Sequence, residues 1–421
     1  MYCIGENEYL CTRMEEKMIN VAILGYGTVG SGVYEVINTN NDIVSKKAGD
    51  KVNIKYVLDL REFPGDPVMD VLVHDYDVIL NDPEVEVVAE VMGGVEPAYT
   101  FVKAALMKGK SVCTSNKELV AKHGPELIEI AREHNRNFFF EASCGGGIPI
   151  IRPLVECITA DDVLEITGIL NGTTNYILSK MSREGLGFDE VLKEAQELGY
   201  AERNPAADVE GFDACRKIAI LASLTYGKNV DFEQIYTEGI TKITDVDFKY
   251  ANKLGYSVKL FGKARKVAGK FYAYVAPVMI DASHPLYSVN DVFNGIMVKG
   301  NVLGDVMFYG SGAGKLPTAS AVVSDVVDAI RHLNDNVYIE WSSDNLELTD
   351  IKESEKKFFV RMKGNADSDK AAVEAAFGAV EVLTLDDVEG EFAFVTSTIT
   401  EAKYDEAASG LDNIITRIRI E

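Results

Sequence analysis

The first third of the chain alternates short apolar runs with segments whose apolar residues recur at helical spacing. The runs have the length of buried strands, and the segments between them are long enough to be helices. The predicted strands are Ile19–Leu24, Val52–Leu58, Val85–Val91, Ser111–Thr114 and Asn137–Ala142. The predicted helices are Val29–Ile37, Ala98–Lys108 and Lys117–His134. This alternation is typical of a doubly wound α/β domain, in which helices cover both faces of a parallel sheet.

A glycine-rich turn joins the first predicted strand to the first predicted helix. Residues 25–30 read Gly-Tyr-Gly-Thr-Val-Gly, a match to GxGxxG in the strand–turn–helix context that dinucleotide binding requires. Gly25 would form the tight turn, Gly27 would let the backbone approach a pyrophosphate, and Gly30 would let the helix pack close to the strand. We predict a Rossmann-type NAD(P)-binding domain over residues 18–145, completed by residues 308–335. The alternative is a purely structural glycine turn.

The end of the second predicted strand bears on the choice of cofactor. Asp59 follows this strand directly, and Arg61 comes two residues later. An acidic side chain here binds the ribose hydroxyls of NAD, whereas an arginine accommodates the 2′-phosphate of NADP, so both cofactors remain open. Because Gly30 and Asp59 lie further apart than the motif usually has them, we predict that residues 38–51 form an inserted loop.

The pattern changes over residues 146–307, where longer helices mix with strands. This mixture predicts a separate α+β domain. Ile166–Leu170 has the pattern of a strand, and the polar run after it, Asn171–Tyr176, lines a pocket or simply caps the next helix. Pro317–His332 has the pattern of a long helix, which we expect to return to the nucleotide-binding domain.

The last part of the chain predicts a small separate module over residues 354–421, reached through a charged linker at Glu353–Lys357. The predicted order of elements, βαββαβ, is that of a ferredoxin-like unit. The strands are Phe358–Met362, Val380–Thr384, Phe392–Ile399 and Ile415–Ile420, and the helices are Asp369–Phe377 and Ala402–Leu411.

Composition narrows the classes of partner. The 421 residues include 42 basic and 66 acidic side chains, and this net charge of -24 disfavours nucleic acid and anionic membranes. The six cysteines form no CxxC motif or metal-ligand spacing, so we expect free thiols and a cytoplasmic protein. Residues 1–17 are acidic and lack the apolar core of a signal peptide. We expect them to be a poorly ordered appendage.

One short stretch concentrates the candidate chemistry. Asp213 and Lys217 are four residues apart, so on a helix they share one face, and Glu202 and Asp208 lie just upstream. A lysine among carboxylates at the edge of a core is a candidate for proton transfer, because burial and neighbours readily change its pKa. The alternative is a surface ion pair without a catalytic role.

Two further segments are candidates for ligand binding. Lys117 follows the fourth predicted strand at its carboxyl end, where ligands bind in doubly wound sheets, although it could equally be a solvated lysine at a helix start. The segment Glu141–Pro149 combines a carboxylate with three consecutive glycines. Such a loop could offer oxygen ligands to a hard cation or serve as a hinge between domains, and these two roles are compatible.

Several of these motifs together resemble the homoserine dehydrogenase family. The resemblance covers residues 18–334 and rests on four segments in the family's order: GYGTVG, SNKELVA, NGTTNYIL and GYAERNPAADVEGFDACRKIAILA. The module that begins near Phe358 resembles an ACT regulatory domain. The resemblance implies reversible, NAD(P)-dependent interconversion of L-homoserine and L-aspartate 4-semialdehyde, at the branch that leads to threonine, isoleucine and methionine.

The resemblance also implies a role for individual residues. Lys217 would be the general acid/base, positioned by Asp213, and Lys117 would contact both substrate and nicotinamide. The implied substrate-binding residues are Glu202, Asp208, Gly172 and Thr173. The implied cofactor-binding residues are Gly25, Gly27, Thr28, Val29, Gly30, Asp59, Arg61, Gly93, Ser115, Lys117 and Gly312. A monovalent cation, usually sodium, would bind at Glu141, Cys144, Gly146 and Ile148.

The resemblance further implies that residues 146–307 form the substrate-binding domain and join the subunits of a homodimer or homotetramer. It also implies feedback control by threonine through the ACT module. We expect an enzyme shortened at about Ser354 to stay folded and active without responding to its effector. Two other functions remain as alternatives. A semialdehyde dehydrogenase would need a cysteine nucleophile, for which Cys144 is the candidate. A nucleotide- and amino-acid-binding sensor would have no need of Lys217 among carboxylates.

Overall fold

The computed structural model of the protein describes residues 17–421. The expected appendage at residues 1–17 therefore lies outside the described residues, apart from Lys17. In the part of the chain that is described, no helix is long and apolar enough to cross a membrane.

The first domain is built on a six-stranded parallel sheet in the order β3-β2-β1-β4-β5-β6. The strands are β1 (Met18–Leu24), β2 (Lys51–Leu58), β3 (Leu72–Val73), β4 (Val85–Glu90), β5 (Ser111–Thr114) and β6 (Phe138–Phe139). The helices are α1 (Thr28–Thr39), α2 (Asn41–Ala48), α3 (Tyr76–Leu80), α4 (Ala98–Met107) and α5 (Lys117–Glu133). Central strand β1 pairs with β2 on one side and β4 on the other, so the sheet is of the Rossmann type.

Two predictions for this domain were wrong. The predicted inserted loop at 38–51 contains helix α2, whose Val44 and Ala48 are buried and whose end is capped by Gly49 in the left-handed conformation. The pattern misled because polar residues dominate this short helix. The strand predicted at Asn137–Ala142 is paired only at Phe138–Phe139, because the chain turns into a 3-10 segment from Glu141.

The second domain contributes strands to a larger mixed sheet, and helices cover one of its faces. The strands of this domain are β7 (Val163–Ile169), β8 (Lys228–Asn229), β9 (Tyr236–Thr237), β10 (Ser257–Val267), β11 (Lys270–Ile280), β12 (Phe293–Gly300) and β13 (Gly304–Ser311), and all but β8 belong to the large sheet. The helices are α6 (Gly172–Glu184), α7 (Phe188–Glu197), α8 (Ala206–Val209), α9 (Phe212–Tyr226) and α10 (Asp245–Leu254). Helix α9 packs against β7, β10 and β11.

The chain then returns to the first domain through helix α11 (Lys315–Arg331), which packs against α1 and α2. Its apolar face, which includes Val322 and Val326, joins the core beside β1. A short strand, β14 (Ser342–Asn345), pairs with β8 before the last module.

The last module extends the large sheet. Its elements are β15 (Glu355–Lys363), α12 (Ala366–Phe377), β16 (Glu381–Leu383), β17 (Glu391–Val395), β18 (Ile399–Thr400), α13 (Glu401–Ala408) and β19 (Ile414–Ile420). Strand β19 pairs in parallel with β11, through Arg419 opposite Val278, so eleven strands form one sheet across both parts of the chain.

The charged linker predicted at Glu353–Lys357 was wrong. Ser354 and Lys356 are buried, and residues 355–357 already belong to β15. The other charged residues of this segment are exposed, but Lys356 is buried and ion-paired with Glu421, so the segment is not a flexible connection.

Candidate active site

Helix α9 carries the predicted acid–base residues on its buried face. Asp213 and Lys217 are one turn apart, and Lys217 Nζ lies 2.8 Å from Asp213 Oδ2. Both side chains are nearly buried, because α9 packs on the sheet through apolar neighbours such as Ile218 and Leu221. The pair is therefore not a solvated surface contact.

Asp213 lies at the centre of a group drawn from three parts of the fold. Its second carboxylate oxygen, Oδ1, is 2.6 Å from the Nζ of Lys117, which begins α5. Lys217 also donates to the carbonyl oxygen of Leu170 at 2.8 Å, after the end of β7. Burial opposes ionisation of Asp213, but the two lysines outweigh it and hold the pKa of its carboxyl well below the usual range. One carboxylate thus contacts both lysine side chains.

Asn171 links Asp213 to the other carboxylate of the cluster. Its Nδ2 donates to Asp208 Oδ1 at 2.7 Å and to Asp213 Oδ2 at 2.9 Å. Its Oδ1 accepts from the backbone N–H of Thr174 and so caps helix α6. The sequence placed Asn171 only in a polar run before a helix, and it gave no signal that the side chain would bridge residues 208 and 213.

Burial and neighbouring charges also shift the pKa values of Asp208 and Lys117 in this cluster. Burial raises the pKa of the Asp208 carboxyl, and the nearby charge of Asp213 adds to this, although the hydrogen bond from Asn171 opposes it. Burial lowers the pKa of Lys117, but the charge and contact of Asp213 prevail, so its pKa is raised and it stays an ammonium. The cluster therefore contains a fixed ammonium at residue 117 and a carboxyl at residue 208 that takes up a proton more readily than an exposed aspartate.

The other predicted substrate residues are at the rim of this cluster. Gly172 and Thr173 open helix α6 next to Asn171, and Thr173 Oγ1 donates to the carbonyl oxygen of Tyr200 at 2.6 Å. Glu202 follows on the loop of Tyr200 but is exposed, and within residues 17–421 its carboxylate makes no hydrogen bond or ion pair with the clustered side chains. The structure thus unites four of the predicted residues and leaves Glu202 outside their network.

The glycine turn after β1 has the geometry of a nucleotide cradle. Gly25 has a φ of +98°, and a Cβ on Gly30 would lie 1.9 Å from the carbonyl oxygen of Gly25. By contrast, nothing lies within 4 Å of a Cβ built on Gly27. The turn is therefore closed on its inner side and open over Gly27, Thr28 and Val29, at the exposed start of α1. These residues fit a pyrophosphate group.

Asp59 and Arg61 form a pair at the edge of the same cradle. Asp59 Oδ2 accepts from the backbone N–H of Tyr26 at 2.8 Å, and Oδ1 accepts from Arg61 Nε at 2.9 Å. A second contact, Arg61 Nη2 to Asp59 Oδ2 at 2.8 Å, makes the pairing bidentate. Arg61 is exposed, and its guanidinium holds the pKa of the Asp59 carboxyl well below its usual range.

Asn116 joins the loops that follow β4 and β5. Its Nδ2 donates to the carbonyl oxygen of Gly94 at 2.6 Å, and its Oδ1 caps helix α5. The join places Gly93, which has a left-handed backbone, near Ser115 and Lys117. Three predicted cofactor residues, one of which, Lys117, is also the predicted substrate contact, thus lie along one crevice at the carboxyl ends of the strands, where cofactors of this fold bind.

A buried acid that the sequence analysis missed supports this crevice. Glu90 ends β4, accepts from Thr114 Oγ1 at 2.6 Å and accepts from the backbone N–H of Met92 at 2.8 Å. Its burial raises the pKa of its carboxyl. In the sequence it was hidden inside an apolar strand, where a single glutamate gives no sign of its partners.

The predicted cation loop is compact and closed. The Glu141 carboxylate accepts from the backbone N–H groups of residues 150, 151 and 152 at 2.5–2.8 Å. Across residues 17–421, no donor reaches the carbonyl oxygens of Cys144, Gly146 and Ile148, which suits a cation held by carbonyl groups. No group of three or more His, Cys, Asp or Glu side chains with metal-site geometry occurs among those residues.

The predicted cation loop also packs against the loop that contains the predicted cofactor residue Gly312. A Cβ on Gly146 would lie 2.2 Å from the carbonyl oxygen of Gly312, and a Cβ on Gly312 would lie 1.9 Å from Asn294 Nδ2. The two loops can approach this closely only because both positions are glycine.

Cys144 does not have the environment of a nucleophile. It is fully buried, and burial raises the pKa of its thiol to about 12. The thiol is therefore protonated at neutral pH, and only a thiolate attacks efficiently. This observation disfavours the semialdehyde-dehydrogenase alternative.

A nucleotide cradle opposite a buried lysine–carboxylate cluster defines a class of protein, the NAD(P)-dependent oxidoreductases. The family comparisons agree with this class and make it specific. Residues 25–141 match the family profile "Homoserine dehydrogenase, NAD binding domain", and residues 149–327 match "Homoserine dehydrogenase". The chain belongs to the homoserine dehydrogenase family.

Individual relatives give the same result. The chain is 45% identical over 320 residues to homoserine dehydrogenase of Bacillus subtilis (strain 168), covering 75% of this chain and 74% of the relative. The crystal structure of a homoserine dehydrogenase from Thiobacillus denitrificans superimposes with a TM-score of 0.89 at 34% identity, over 96% of this chain and 99% of that one. A hyperthermophilic archaeal homoserine dehydrogenase in complex with NADPH gives 0.64 at 30% identity, over 74% and 98%.

Proposed function

We propose that the protein interconverts L-homoserine and L-aspartate 4-semialdehyde reversibly, with Lys217 as the general acid/base. The observation that carries this proposal is the position of Asp213 between Lys117 and Lys217, at 2.6 and 2.8 Å. The arrangement supplies a proton-transferring group and a fixed positive charge side by side.

The protein residues have distinct roles in the proposed reaction. When bound, NAD(P)+ accepts a hydride from the hydroxyl-bearing carbon of homoserine. Lys217 donates hydrogen bonds to Asp213 and to the carbonyl oxygen of Leu170, which leaves the third position of its nitrogen for the substrate oxygen. As a neutral amine it takes the hydroxyl proton at this position in the oxidation, and as an ammonium it returns the proton to the carbonyl oxygen in the reduction. Lys117 stabilises negative charge on that oxygen.

Residues around the acid–base cluster hold the amino-acid end of the substrate in this proposal. Asp208 and the loop of Glu202 offer carboxylates to the ammonium group, and the start of α6 at Gly172 and Thr173 offers backbone N–H groups and a hydroxyl. Glu202 is exposed, so this role requires its loop to turn towards the cluster when substrate binds.

We further propose that a monovalent cation, such as sodium, binds in the loop of Cys144, Gly146 and Ile148. The carbonyl oxygens without a donor there support this, and the Glu141 carboxylate supplies the charge. We also propose that the module at residues 354–421 is an ACT regulatory unit responding to threonine and that the enzyme is a homodimer or homotetramer. The βαββαβ order of its main elements supports the first part.

The first test is an initial-rate assay with L-homoserine and either NAD+ or NADP+, with and without threonine, followed by nicotinamide absorbance. Turnover is expected with at least one cofactor, and a lower rate with threonine would support regulation through the last module. Repeating the assay in sodium and in a bulky organic cation tests the cation site.

The alternatives predict different outcomes. A folded protein that binds NADP+ but shows no turnover would contradict the proposal and favour a sensor. Loss of turnover on thiol alkylation, prevented by substrate, would instead point to cysteine chemistry at Cys144.

A further inference from the structure

The junction between β7 and helix α6 places consecutive residues against the acid–base cluster. The carbonyl oxygen of Leu170 accepts from Lys217, and the side chain of Asn171 contacts two carboxylates. Gly172 then begins the helix. The Asn171 side chain is buried, and the proposed reaction gives it no role.

The Asn171 amide uses all of its hydrogen-bonding positions. Its Nδ2 donates to Asp208 Oδ1 at 2.7 Å and to Asp213 Oδ2 at 2.9 Å. Its Oδ1 accepts from the backbone N–H of Thr174 at 2.8 Å and from the Thr174 hydroxyl at 3.0 Å. The opposite orientation of the amide would turn its oxygen towards both carboxylates and its NH₂ towards an N–H group. These partners therefore determine that the donor side faces the cluster and the acceptor side caps α6.

The first turn of α6, which carries this amide, is anchored to the chain before β12. Asn175 Nδ2 donates to the carbonyl oxygen of Phe293 at 2.9 Å. A Cβ on Gly172 would lie 2.8 Å from the carbonyl oxygen of Val292, so the two backbones are in close contact. Because the helix start is held in this way, the amide of Asn171 has a fixed position between the two carboxylates.

The two donors of Asn171 offset the repulsion between Asp208 and Asp213. Burial raises the pKa of the Asp208 carboxyl, the hydrogen bond from Asn171 lowers it, and the charge of Asp213 raises it again. Lys217 and Lys117 also face Asp208, from α9 and α5, and lower its pKa. The first turn of α6, which packs on α8, carries no titratable side chain. Without the hydrogen bond from Asn171, Asp208 would therefore take up a proton at higher pH.

We propose that Asn171 is a positioning residue, which holds the carboxylates of Asp208 and Asp213 in place for the substrate and for Lys217. Asn171 itself transfers no proton. Its hydrogen bond keeps Asp208 charged when the ammonium group of the substrate arrives, and its other bond keeps Asp213 directed at Lys217. This role rests on the proposed function, because it needs a substrate that carries an ammonium group.

Two substitutions separate this role from helix capping. Serine and aspartate cap a helix about as well as asparagine does, but neither can donate to both carboxylates. Asn171→Ser removes the donors without adding charge. Asn171→Asp keeps the shape of the side chain and turns a third carboxylate towards the cluster. Asn365→Asp, at the exposed N-cap of α12, makes the same chemical change away from the cluster and is the matched control.

The main measurement is the pH dependence of kcat/KM for L-homoserine in each variant, with circular dichroism to show that the variant is folded. We expect kcat/KM to fall by about tenfold or more in Asn171→Ser and further in Asn171→Asp. The acid limb of the profile should move to higher pH, by about one unit in Asn171→Asp, because Asp208 must lose its proton before it pairs with an ammonium group. A merely structural role would leave the acid limb in place, and the isosteric aspartate would be tolerated better than serine.

Binding of L-2-aminobutyrate gives a readout that does not need turnover. This probe has the ammonium and carboxylate groups of homoserine but lacks the hydroxyl, so it cannot be oxidised. It is titrated calorimetrically into the full-length enzyme with NAD+ or NADP+, whichever binds more tightly. The acid limb of its affinity should move to higher pH in Asn171→Asp and stay in place in Asn365→Asp.

Distinct outcomes separate the role of Asn171 from the proposed function. If wild type oxidises homoserine and both acid limbs are unchanged in the Asn171 variants, the role of Asn171 is overturned and the proposed function stands. Failure of both variants to fold would likewise assign Asn171 to the fold alone. A shifted limb for the probe, in a protein without turnover of homoserine, would overturn only the proposed function. A wild type that neither binds the probe nor oxidises homoserine would overturn both.

Discussion

At the scale of single residues, Asp213 holds the proposed acid–base cluster together. It pairs with Lys117 and Lys217 and accepts from Asn171, so three side chains from different elements are fixed by one carboxylate. Removing either the buried carboxylate or its lysine partners would leave a buried charge without a counter-ion, which is strongly destabilising. The geometry of the proposed acid–base cluster and the local stability of the fold therefore depend on the same contacts.

Replacement of Lys217 by methionine tests the acid–base assignment. We expect turnover to fall by about 10²–10⁴-fold, the usual contribution of general acid–base catalysis, with cofactor affinity unchanged. Lys180→Met, which removes an ion-paired lysine from helix α6, is the control and should keep wild-type turnover. Steady-state rates and cofactor fluorescence titration measure both quantities. Normal turnover in the Lys217 variant would remove this residue from the mechanism.

Replacement of Arg61 by alanine tests how the cradle edge selects its cofactor. The guanidinium neutralises Asp59, so its loss both removes a partner for a 2′-phosphate and frees a carboxylate that repels it. We expect the ratio of kcat/KM for NADP+ over NAD+ to fall by about tenfold. The exposed Arg203→Ala is the matched control. An unchanged ratio would show that residues 59 and 61 do not discriminate between a 2′-hydroxyl and a 2′-phosphate on the ribose.

A pH-dependent stability is expected from Lys259 on β10. Its Nζ is buried and donates to neutral groups, Val289 O and Asn290 Oδ1, and burial lowers its pKa to about 8 from 10.5. Between these pH values the unfolded chain keeps a proton that the folded chain has lost, so this residue adds stability as pH rises.

Comparison with Lys259→Met isolates the effect. The stability of wild type relative to the variant should rise by about 3 kcal/mol as pH increases from below 8 to above 10.5, measured by urea unfolding. The exposed Lys299→Met should retain the wild-type pH dependence. Parallel pH profiles for wild type and Lys259→Met would contradict the assigned cause.

At the scale of elements, the turn between β1 and α1 is packed too closely to accommodate a side chain at residue 30. A Cβ on Gly30 would overlap the carbonyl oxygen of Gly25 at 1.9 Å. We expect Gly30→Ala to displace the start of α1 and to reduce cofactor affinity by at least about tenfold. Gly187→Ala, at a helix start with nothing within 4 Å, is the control. Wild-type cofactor affinity in the Gly30 variant would show that the turn accommodates a side chain without weakening cofactor binding.

At the scale of the whole molecule, the last module shares a sheet and buried charges with the second domain. Arg361 Nη1 contacts Asp247 at 2.8 Å, and Lys263 Nζ contacts Glu421 at 2.7 Å, all four side chains being largely buried. Removing the module would leave Asp247 without its partner and would expose the edge of β11. These contacts argue against the expectation that the shortened enzyme stays folded.

Two variants test this structural role. A chain ending at Ser354 should melt at a markedly lower temperature or aggregate, because removal of one partner of a buried pair costs about 3–5 kcal/mol. Arg361→Met should lose stability in the full-length protein, whereas Lys249→Ala, which breaks an exposed pair at the same interface, should change it by less than about 1 kcal/mol. A shortened chain with the wild-type melting temperature and turnover would restore the original expectation.

The sequence by itself determined the elements and the family. Periodic apolar residues predicted the alternating strands and helices of the first domain, because local hydrophobic spacing reflects which face of an element is buried. The spacing of Asp213 and Lys217 predicted their shared helix face for the same reason. Hydrophobic spacing failed to predict α2, which has few apolar positions. It also failed at Glu353–Lys357, where charged residues concealed the start of β15.

Only the tertiary structure decided which distant residues meet. Asn171 bridges positions 208 and 213, Lys117 reaches across from another domain, and β19 joins β11 from the far end of the chain. Contacts of this kind arise from the packing of whole elements, and no local pattern in the sequence records them. Burial also raises the pKa of Asp208 and lowers that of Lys259, because the desolvation that alters a pKa exists only once the chain has folded.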